Sequence, residues 1–307
     1  MAPDTAHRLP ELARQPAATP PADTHPPMTT RRHLPRIRPS LGPVLALALL
    51  ATPLAAQSTP PADPVPAHDS FTVASRALGE ARLVNVHTPP GYAAEPAARF
   101  PVLYMPDGGT DEDFPHVVRT VDSLIAQGAI RPVIVVGIPN TQRRRDLTGP
   151  TRVAADSAIA PRVGGSADFR RFLRDELIPA VQDRYRTTEE RAIVGESLAG
   201  LFVVETFLAD PALFAHYVAL DPSVWWNAGA LVDSAPARVA ALGSAPRTLY
   251  LATSNVPEIT TGTARLAELL RTAPPPGLAL VYAPRPDLTH ATIYRAEGPT
   301  ALARALR

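Results

Sequence analysis

The chain has 307 residues, with 30 basic residues that are all Arg and 29 acidic residues. It contains neither Lys nor Cys, which excludes Schiff-base lysines, pyridoxal chemistry, a GK[ST] phosphate loop, thiolate nucleophiles, disulfides and iron–sulfur clusters. A formal net charge of +1 gives no electrostatic reason to expect a nucleic acid as partner. The hydrophobic fraction of 45% is sufficient for a sizeable core.

The first 70 residues differ in composition from the rest, since they hold 15 of the 37 prolines. Residues 28–40 are basic, and residues 41–57 form a short apolar run. A basic segment, a short apolar run and a small-residue site are typical of a secretory signal, with cleavage expected after Ala56. We therefore predict that residues 1–56 are an N-terminal extension and signal peptide, and that residues 57–69 are a disordered leader.

Two alternatives stay open for this N-terminal segment. A retained membrane anchor is the competing interpretation, against which the apolar run is shorter than the ~20 residues that a spanning helix needs. Translation could also begin at Met28, because 27 residues before the basic segment is unusual. The prediction is an exported protein, periplasmic or extracellular, with no membrane span in the mature chain and residues 70–307 as its folded domain. The sequence carries no indication of the oligomeric state.

Strand-like and helix-like segments alternate along the predicted domain. Residues 71–78 and 81–89 have the alternation of a hairpin with one solvated face. Apolar runs typical of strands buried on both faces follow at 101–105, 132–138, 192–195, 216–220, 248–253 and 278–282. Helices are predicted at 113–127, 166–184, 198–209 and between the later strands. This alternation predicts an α/β fold whose mostly parallel central sheet has helices on both faces and the antiparallel hairpin at one edge.

The most informative segment is Gly195-Glu196-Ser197-Leu198-Ala199-Gly200, which lies between a predicted buried strand and a predicted apolar helix. A serine at a tight strand-to-helix turn is typical of the nucleophile elbow of hydrolases, where small residues allow close backbone approach. Ala199 stands where the G-x-S-x-G pattern has Gly. We predict Ser197 as the nucleophile, against the simpler interpretation of a turn with Ser197 as helix N-cap.

A serine nucleophile needs a base, and histidine is the candidate type because Lys is absent. Of the two histidines after Ser197, His216 begins a predicted strand and His290 follows the last one, so His290 is the predicted base. Seven acidic residues lie between Ser197 and His290. Two of them, Asp221 and Glu258, follow strands at the end of the sheet where active sites form. Glu258 is the predicted acid and Asp221 the alternative.

The oxyanion formed when a serine attacks an ester needs two hydrogen-bond donors. The N–H of Leu198, directly after the nucleophile, is one candidate. The N–H of Gly109 is the other, because glycines in Asp107-Gly108-Gly109 let the backbone approach a substrate closely. A plain turn is the competing interpretation of that glycine pair.

At these residues the chain resembles the putative esterase (esterase D-like) family of α/β-hydrolases, and within it most of all the enterobactin-esterase-like siderophore hydrolases. The matching segments run in family order across most of residues 70–295: FPVLYMPDGG (100–109), VIVVGIPN (133–140), RRRDLTGP (143–150), GGSADFRRFLRDELIPAVQDRY (164–185), AIVGESLAGLFVVETFL (192–208) and ALDPSVWWN (219–227). The resemblance implies an α/β-hydrolase fold and an ester cleavage for which no metal or organic cofactor is expected. It also implies the site residues Ser197, His290, Glu258, Gly109 and Leu198.

The chain departs from the family pattern at two places. Asp221 stands where relatives often have Ser, and a THG-like run reads Thr289-His290-Ala291 here. Two adjacent aromatic residues, Trp225 and Trp226, are candidates for a substrate pocket, or else they cover the core.

Three consecutive arginines, Arg143 to Arg145, lie in a long polar stretch and are either a solvated loop or a contact for an anionic substrate. The resemblance makes Arg145-Asp146 a loop-ordering family element, with Arg145 kept as a candidate pocket residue.

Three functions fit these observations. The first is an exported serine hydrolase that cleaves carboxylic esters of small molecules, such as siderophores, through an acyl-enzyme. The second is an acyltransferase with the same triad, and product analysis with an added alcohol would distinguish it from the first. The third is a non-enzymatic binding protein on a hydrolase scaffold, for which Ala199 is the one hint and against which the ordered Ser, His and acid candidates argue.

Overall fold

The computed structural model describes residues 63–307, so the predicted signal peptide and residues 57–62 of the predicted leader lie outside the described part. The strands are β1 (Asp69–Ser75), β2 (Glu80–His87), β3 (Phe100–Pro106), β4 (Ile134–Ile138), β5 (Thr187–Glu196), β6 (His216–Leu220), β7 (Arg247–Thr253) and β8 (Leu278–Pro284). The α-helices are α1 (Phe114–Ala126), α2 (Arg143–Leu147), α3 (Ala154–Ala158), α4 (Ser166–Phe172), α5 (Ile178–Arg184), α6 (Leu198–Ala209), α7 (Ala230–Val239), α8 (Pro257–Thr272) and α9 (Ile293–Ala305).

The strands form one sheet in the order β1-β2-β4-β3-β5-β6-β7-β8. The six strands from β3 to β8 are mutually parallel, whereas β2 pairs antiparallel with both β1 and β4. This confirms the predicted α/β-hydrolase-like fold with its antiparallel hairpin at one edge. Because the parallel strands end at the same edge, the turns after β3, β5, β6, β7 and β8 are brought together there.

Alternate residues of each central strand face opposite sides of the sheet, and each side has its own hydrophobic core. On one side, Leu103 and Val194 pack with residues of α1 and α9. On the other side, Tyr104 and Ile193 pack with residues of α4 to α8. Helix α6 is buried over almost its whole length, which agrees with its nearly all-apolar sequence. It therefore fixes the turn that precedes it.

The helix predicted at 166–184 is interrupted. A single π-helical turn, Leu173–Leu177, separates α4 from α5, and Pro179 lies in the first turn of α5. Proline has no N–H to donate and its ring collides with a regular preceding turn, so a widened turn before it is the expected local solution. The polar stretch at 139–165 likewise contains the two short helices α2 and α3, rather than a structureless loop.

The described part of the predicted leader, residues 63–68, forms neither helix nor strand but lies against the domain. The carboxylate of Asp63 pairs with Arg119 of α1 and, at 2.6 Å, with Arg295 of α9. His87 Nδ1 also lies 2.8 Å from the carbonyl oxygen of Ala67. Charged residues on α1 and α9 therefore contact this part of the chain.

Within residues 63–307, none of the helices has both the length and the apolar character needed to cross a membrane.

Candidate active site

Ser197 occupies the turn between β5 and α6 with φ +60° and ψ −120°, a backbone conformation that non-glycine residues rarely adopt. Its N–H donates to the carbonyl of Leu220 at 3.1 Å, and its own carbonyl accepts from the N–H of Ser223 at 3.0 Å. Both partners belong to the end of β6 or the loop after it, so the neighbouring strand holds the strained turn in place. This is the geometry of a nucleophile elbow.

Small residues on both sides of Ser197 are needed for this turn. A Cβ on Gly195 would lie 2.6 Å from the backbone carbon of Ala199, and a Cβ on Gly200 would lie 3.0 Å from the carbonyl oxygen of Leu220. Ala199 itself is accommodated, although its methyl group leaves no room for a side chain at Gly195. The departure from G-x-S-x-G at Ala199 is thus compatible with the elbow.

His290 lies in the loop between β8 and α9, and Asp221 directly follows β6. His290 Nδ1 is 2.6 Å from Asp221 Oδ2 and 3.3 Å from Oε1 of Glu196, the residue before Ser197. The loop after the last strand therefore places His290 beside the elbow. Its bond to Asp221 through Nδ1 leaves the other ring nitrogen, Nε2, for a proton on the substrate side. His216 instead contacts Glu190 through Nε2, at the other end of the sheet.

Asp221 is fully buried and accepts two further hydrogen bonds from Ser254, the first residue after β7. The Ser254 N–H donates to Oδ1 and the Ser254 hydroxyl to Oδ2, both at 2.7 Å. Burial alone would raise the pKa of Asp221, but the bonds from His290 and Ser254 outweigh it, so the pKa lies below the ordinary value. Asp221 is thus an ionised, oriented partner of His290.

The predicted acid, Glu258, does not reach His290. It lies in the first turn of α8, five residues beyond the end of β7, and its side chain is exposed. A three-residue connection followed by Pro257 starts the helix away from the histidine, so the carboxylate faces an external cavity instead. The structure corrects the prediction: Asp221, the alternative, is the acid that contacts the imidazole.

Two carboxylates act on the protonation of His290. The hydrogen bond to Asp221 raises the pKa of His290 above its ordinary value against the effect of burial, and the charge of Glu196 adds to it. Burial raises the pKa of Glu196 to about 7, with His290 opposing this rise and the carboxylates of Asp113 and Asp221 reinforcing it. The imidazole is therefore more basic than a free histidine, which suits a proton acceptor.

The two predicted oxyanion donors differ in availability. The N–H of Leu198 is the first of helix α6, where no intrahelical carbonyl can accept it. The N–H of Gly109 donates to Oε2 of Glu112 at 2.7 Å. Glu112 is held there by Asn140, whose Nδ2 donates to Oε1 at 2.7 Å. A carboxylate oxygen thus occupies the Gly109 donor in this structure, and a substrate can use that donor only after Glu112 moves.

The two tryptophans have different environments. Trp226 is buried, and its indole N–H donates to the carbonyl of Gly149 at 2.8 Å, so it ties the long loop to the 3-10 turn that precedes α7. Trp225 is 39% exposed and lines a cavity of about 480 Å³ together with Glu258. Trp226 lines a different cavity, of about 290 Å³, together with Glu205.

Arg145 is held by acidic residues on two sides. It donates to Asp146 through Nε at 2.6 Å and to Glu80 through NH2 at 2.7 Å. Asp146 in turn accepts from the fully buried Arg82 at 2.6 Å, which fixes α2 against β2. The contacts of Arg145 therefore tie α2 to β2 and Arg145 to the residue that follows it, Asp146. Arg145 also lines a cavity of about 570 Å³ with Arg143, Arg144 and Arg162.

Glu196, Asp221 and His290 bring carboxylate and imidazole atoms within 4.8 Å of one another, close enough to enclose a cation. However, Nδ1 of His290 and Oδ2 of Asp221, two of the atoms that would face it, are hydrogen-bonded to each other. In this structure two members of the trio are joined by that hydrogen bond between imidazole and carboxylate.

Three residues of this site are absent from the sequence predictions. Ser254 is a polar residue directly after a buried strand, and that position could have identified it. Glu196 is a charged residue inside an otherwise apolar strand end, which is an equally visible signal. Glu112 carries no such signal, because its place against Gly109 depends on the path of the loop after β3.

Comparisons with known proteins place the chain among esterases. The chain is 32% identical over 154 residues to the ferri-bacillibactin esterase BesA of Bacillus subtilis, covering 46% of this chain and 52% of the relative. It is 30% identical over 194 residues to the siderophore triacetylfusarinine C esterase of Aspergillus fumigatus, covering 57% and 62%. The aligned part thus spans about half to three fifths of the length of these curated relatives.

Among solved structures, an IroE-like serine hydrolase from Shewanella oneidensis superposes with a TM-score of 0.71 at 28% identity, covering 78% of this chain and 79% of that one. The model of the family described as "Putative esterase" matches residues 75–248, a segment that contains the elbow and Asp221. Since that match extends over more than half of the chain, this protein belongs to the putative esterase family.

Proposed function

We propose that this protein is a serine hydrolase that cleaves carboxylic esters through an acyl-enzyme, with Ser197 as nucleophile, His290 as base and Asp221 as acid. The observation that carries the proposal is the 2.6 Å contact between His290 Nδ1 and Asp221 Oδ2, made beside a serine with φ +60° in a strand-to-helix turn. Nucleophile, acid and base also follow the chain order Ser, Asp, His of α/β-hydrolases.

In the first half of the reaction, Ser197 Oγ attacks the ester carbonyl carbon while His290 Nε2 takes the hydroxyl proton. Asp221 keeps the other proton on Nδ1 and stabilises the imidazolium that forms. His290 then gives its proton to the departing alkoxide oxygen, so the alcohol leaves and the acyl group stays on Ser197. In the second half, His290 takes a proton from the water that attacks the acyl carbon. It then gives this proton to Ser197 Oγ as the bond between Oγ and the acyl carbon breaks, so the acid leaves and the serine is restored.

The negative charge that develops on the carbonyl oxygen needs N–H donors. Leu198 supplies one from the start of α6. We assign the second to Gly109, after the carboxylate of Glu112 has withdrawn from its N–H. In this step the substrate carbonyl oxygen replaces Glu112 Oε2 as the acceptor of the Gly109 N–H.

The substrate class we propose is a siderophore or another small-molecule ester. The support is the similarity to relatives whose names describe esterases of ferri-bacillibactin and triacetylfusarinine C. The protein is proposed to act outside the cytoplasm, because residues 28–57 have the layout of a secretory signal. Sequencing the N-terminus of the exported protein tests this, with Gln57 expected as its first residue.

The decisive experiment compares hydrolysis of p-nitrophenyl acetate and butyrate by the wild-type protein and by Ser197→Ala. We expect kcat/KM to fall at least about 10,000-fold in the variant, because the nucleophile is lost. Ser157→Ala, an exposed serine on α3, is the matched control and should retain full activity. Activity that survives Ser197→Ala would refute the assignment.

Labelling with a fluorophosphonate probe separates an inactive scaffold from an enzyme with a narrow substrate range. Wild type should be labelled and Ser197→Ala should not. Product analysis with an added alcohol should give mainly free acid, and a dominant transfer product would instead make the protein an acyltransferase. Siderophore esters are then the first compounds to screen.

A further inference from the structure

Glu196 is a partly buried carboxylate that the proposed reaction does not use. It is the last residue of β5, its side chain is 15% exposed, and it directly precedes the nucleophile. Its Oε1 lies 3.3 Å from His290 Nδ1, the same nitrogen that contacts Asp221. The imidazole thus faces two carboxylates on one side, whereas a catalytic triad needs one.

The two carboxylates are held differently. Asp221 accepts hydrogen bonds from the backbone and hydroxyl of Ser254 as well as from His290. Within residues 63–307, the structure records no hydrogen bond from any group to the side-chain carboxylate of Glu196, whose polar neighbour is His290 Nδ1 at 3.3 Å. Since two carboxylates this close do not both ionise easily, the one without donors is the one that keeps a proton at lower pH.

We propose that Glu196 is a second positioning residue for His290. Glu196 holds the imidazole ring through Nδ1 and shares with Asp221 the stabilisation of the imidazolium. This inference rests on the proposed role of His290 as base. When Glu196 is ionised, it adds negative charge next to the proton that His290 has accepted. When Asp221 is disabled, Glu196 is the remaining acceptor for the Nδ1–H.

The charged and titratable groups facing Glu196 come from every element packed around it. They are His290 of the β8–α9 loop, Asp221 after β6, Asp113 before α1, Arg143 of α2 and Tyr294 of α9. Burial raises the pKa of Glu196 to about 7, so its charge changes within the range where the enzyme is assayed. The pKa of Asp113, also buried, is raised to about 6, so its titration must be separated from that of Glu196.

The first test measures the pKa of His290 by an NMR titration of its imidazole nitrogens in the Ser197→Ala background. The His290 signals are assigned by their loss in His290→Gln. This measurement needs no catalysis, so it remains informative even where the proposed function fails. Glu196→Gln should lower the pKa of His290 by about half a unit to one unit, because a nearby negative charge is removed. Asp113→Asn should change it less, since Asp221 and Glu196 are the carboxylates with the largest effects on the pKa of His290.

Glu189→Gln is the matched control, because Glu189 lies on the same strand at the opposite end and its side chain is 89% exposed. It should not alter the pKa of His290. A Glu196→Gln protein whose His290 titrates as in the parent would overturn the proposal.

The second test is a double-mutant cycle on kcat with Asp221→Asn and Glu196→Gln. Asp221→Asn should retain partial activity that rises with pH as Glu196 ionises and accepts the Nδ1–H. The midpoint of this rise should lie below 7, because the charge of Asp221, which helps to raise the pKa of Glu196 to about 7, has been removed. The double variant should lose this rise and fall a further tenfold or more, towards the roughly 10⁴-fold loss known for a triad acid replaced by its amide. A purely structural role predicts that the fold-losses in kcat of the two single variants multiply in the double variant, so that their free energies add, and that these losses do not depend on pH. Additive losses together with an unchanged pH profile would refute the inference while leaving the Ser197 assignment intact.

Discussion

The turns after β6 and β7 are neighbours on the same edge of the sheet, and each is followed by an acidic residue. Asp221 comes immediately after β6, is fully buried and contacts His290 at 2.6 Å. Glu258 comes five residues after β7, lies in the first turn of α8 and is exposed. The β7 turn nevertheless contributes to the site through Ser254, which donates two hydrogen bonds to Asp221.

The difference teaches that a residue type at a strand end indicates a site only when the chain keeps the side chain at the sheet edge. Asp221 has φ +47°, and its N–H donates to the carbonyl of Ala252 on β7, so the backbone turns immediately and keeps the carboxylate inside. At β7 the chain leaves the edge to begin α8, which takes Glu258 with it. One turn therefore supplies the acid and the other supplies its hydrogen-bond donors.

The largest expected effect comes from exchanging Asp221 for its amide, and the same exchange at Glu258 is the control. Asp221→Asn should lower kcat about 100- to 1,000-fold, because an amide no longer stabilises the imidazolium or fixes the tautomer of His290. Glu258→Gln should stay within about twofold of wild type in kcat, because it does not contact the histidine. Steady-state kinetics on p-nitrophenyl butyrate measures both, and a loss at Glu258 equal to that at Asp221 would reverse the assignment of the acid.

A smaller effect is expected from the β7 turn itself. Ser254→Ala removes one of the two donors to Asp221 while leaving its backbone N–H, so kcat should fall about tenfold with KM nearly unchanged. Ser254→Thr keeps the hydroxyl and should restore most of the activity. An unaltered kcat in Ser254→Ala would mean that the β7 turn plays no part in orienting the acid.

The pH profile gives an effect of similar size. His290 accepts a proton only when neutral, and its hydrogen bond to Asp221 raises its pKa. kcat/KM should therefore be low in acid, rise with pH and reach half its maximum above pH 6.5, with about tenfold loss one unit below the midpoint. Glu258→Gln should leave the midpoint in place, and a midpoint clearly below 6.5 would contradict the contact with Asp221.

The smallest effect is expected at Trp225, whose ring lines the cavity between the β6 and β7 turns. Trp225→Ala should raise KM for a bulky aromatic ester about two- to fivefold while kcat changes little, because it removes apolar contact area and no reacting group. The acetate ester should be nearly unaffected. A fall in kcat with constant KM would place Trp225 in the chemistry rather than in binding.

Much of the site could be predicted from sequence because it depends on local patterns. The apolar run ending in Gly195-Glu196-Ser197 specified both the buried strand and the sharp turn, and α6 begins one residue after Ser197. His290 could be selected because Lys is absent and few histidines follow the serine. The choice between Asp221 and Glu258 could not be made in this way, since both follow a predicted strand at the end of the sheet where active sites form.

The sequence by itself determined the α/β architecture, the elbow and the histidine, because periodicity, small residues and the absence of competing residue types are all local or countable properties. Only the tertiary structure decided which acid meets His290, that Ser254 holds that acid, that Glu196 shares the same nitrogen and that Glu112 occupies the N–H of Gly109. The first three depend on residues that follow or end separate strands and meet at one edge of the sheet, and the paths of the intervening loops set those distances. The contact of Glu112 with Gly109 depends on the path of the single loop after β3.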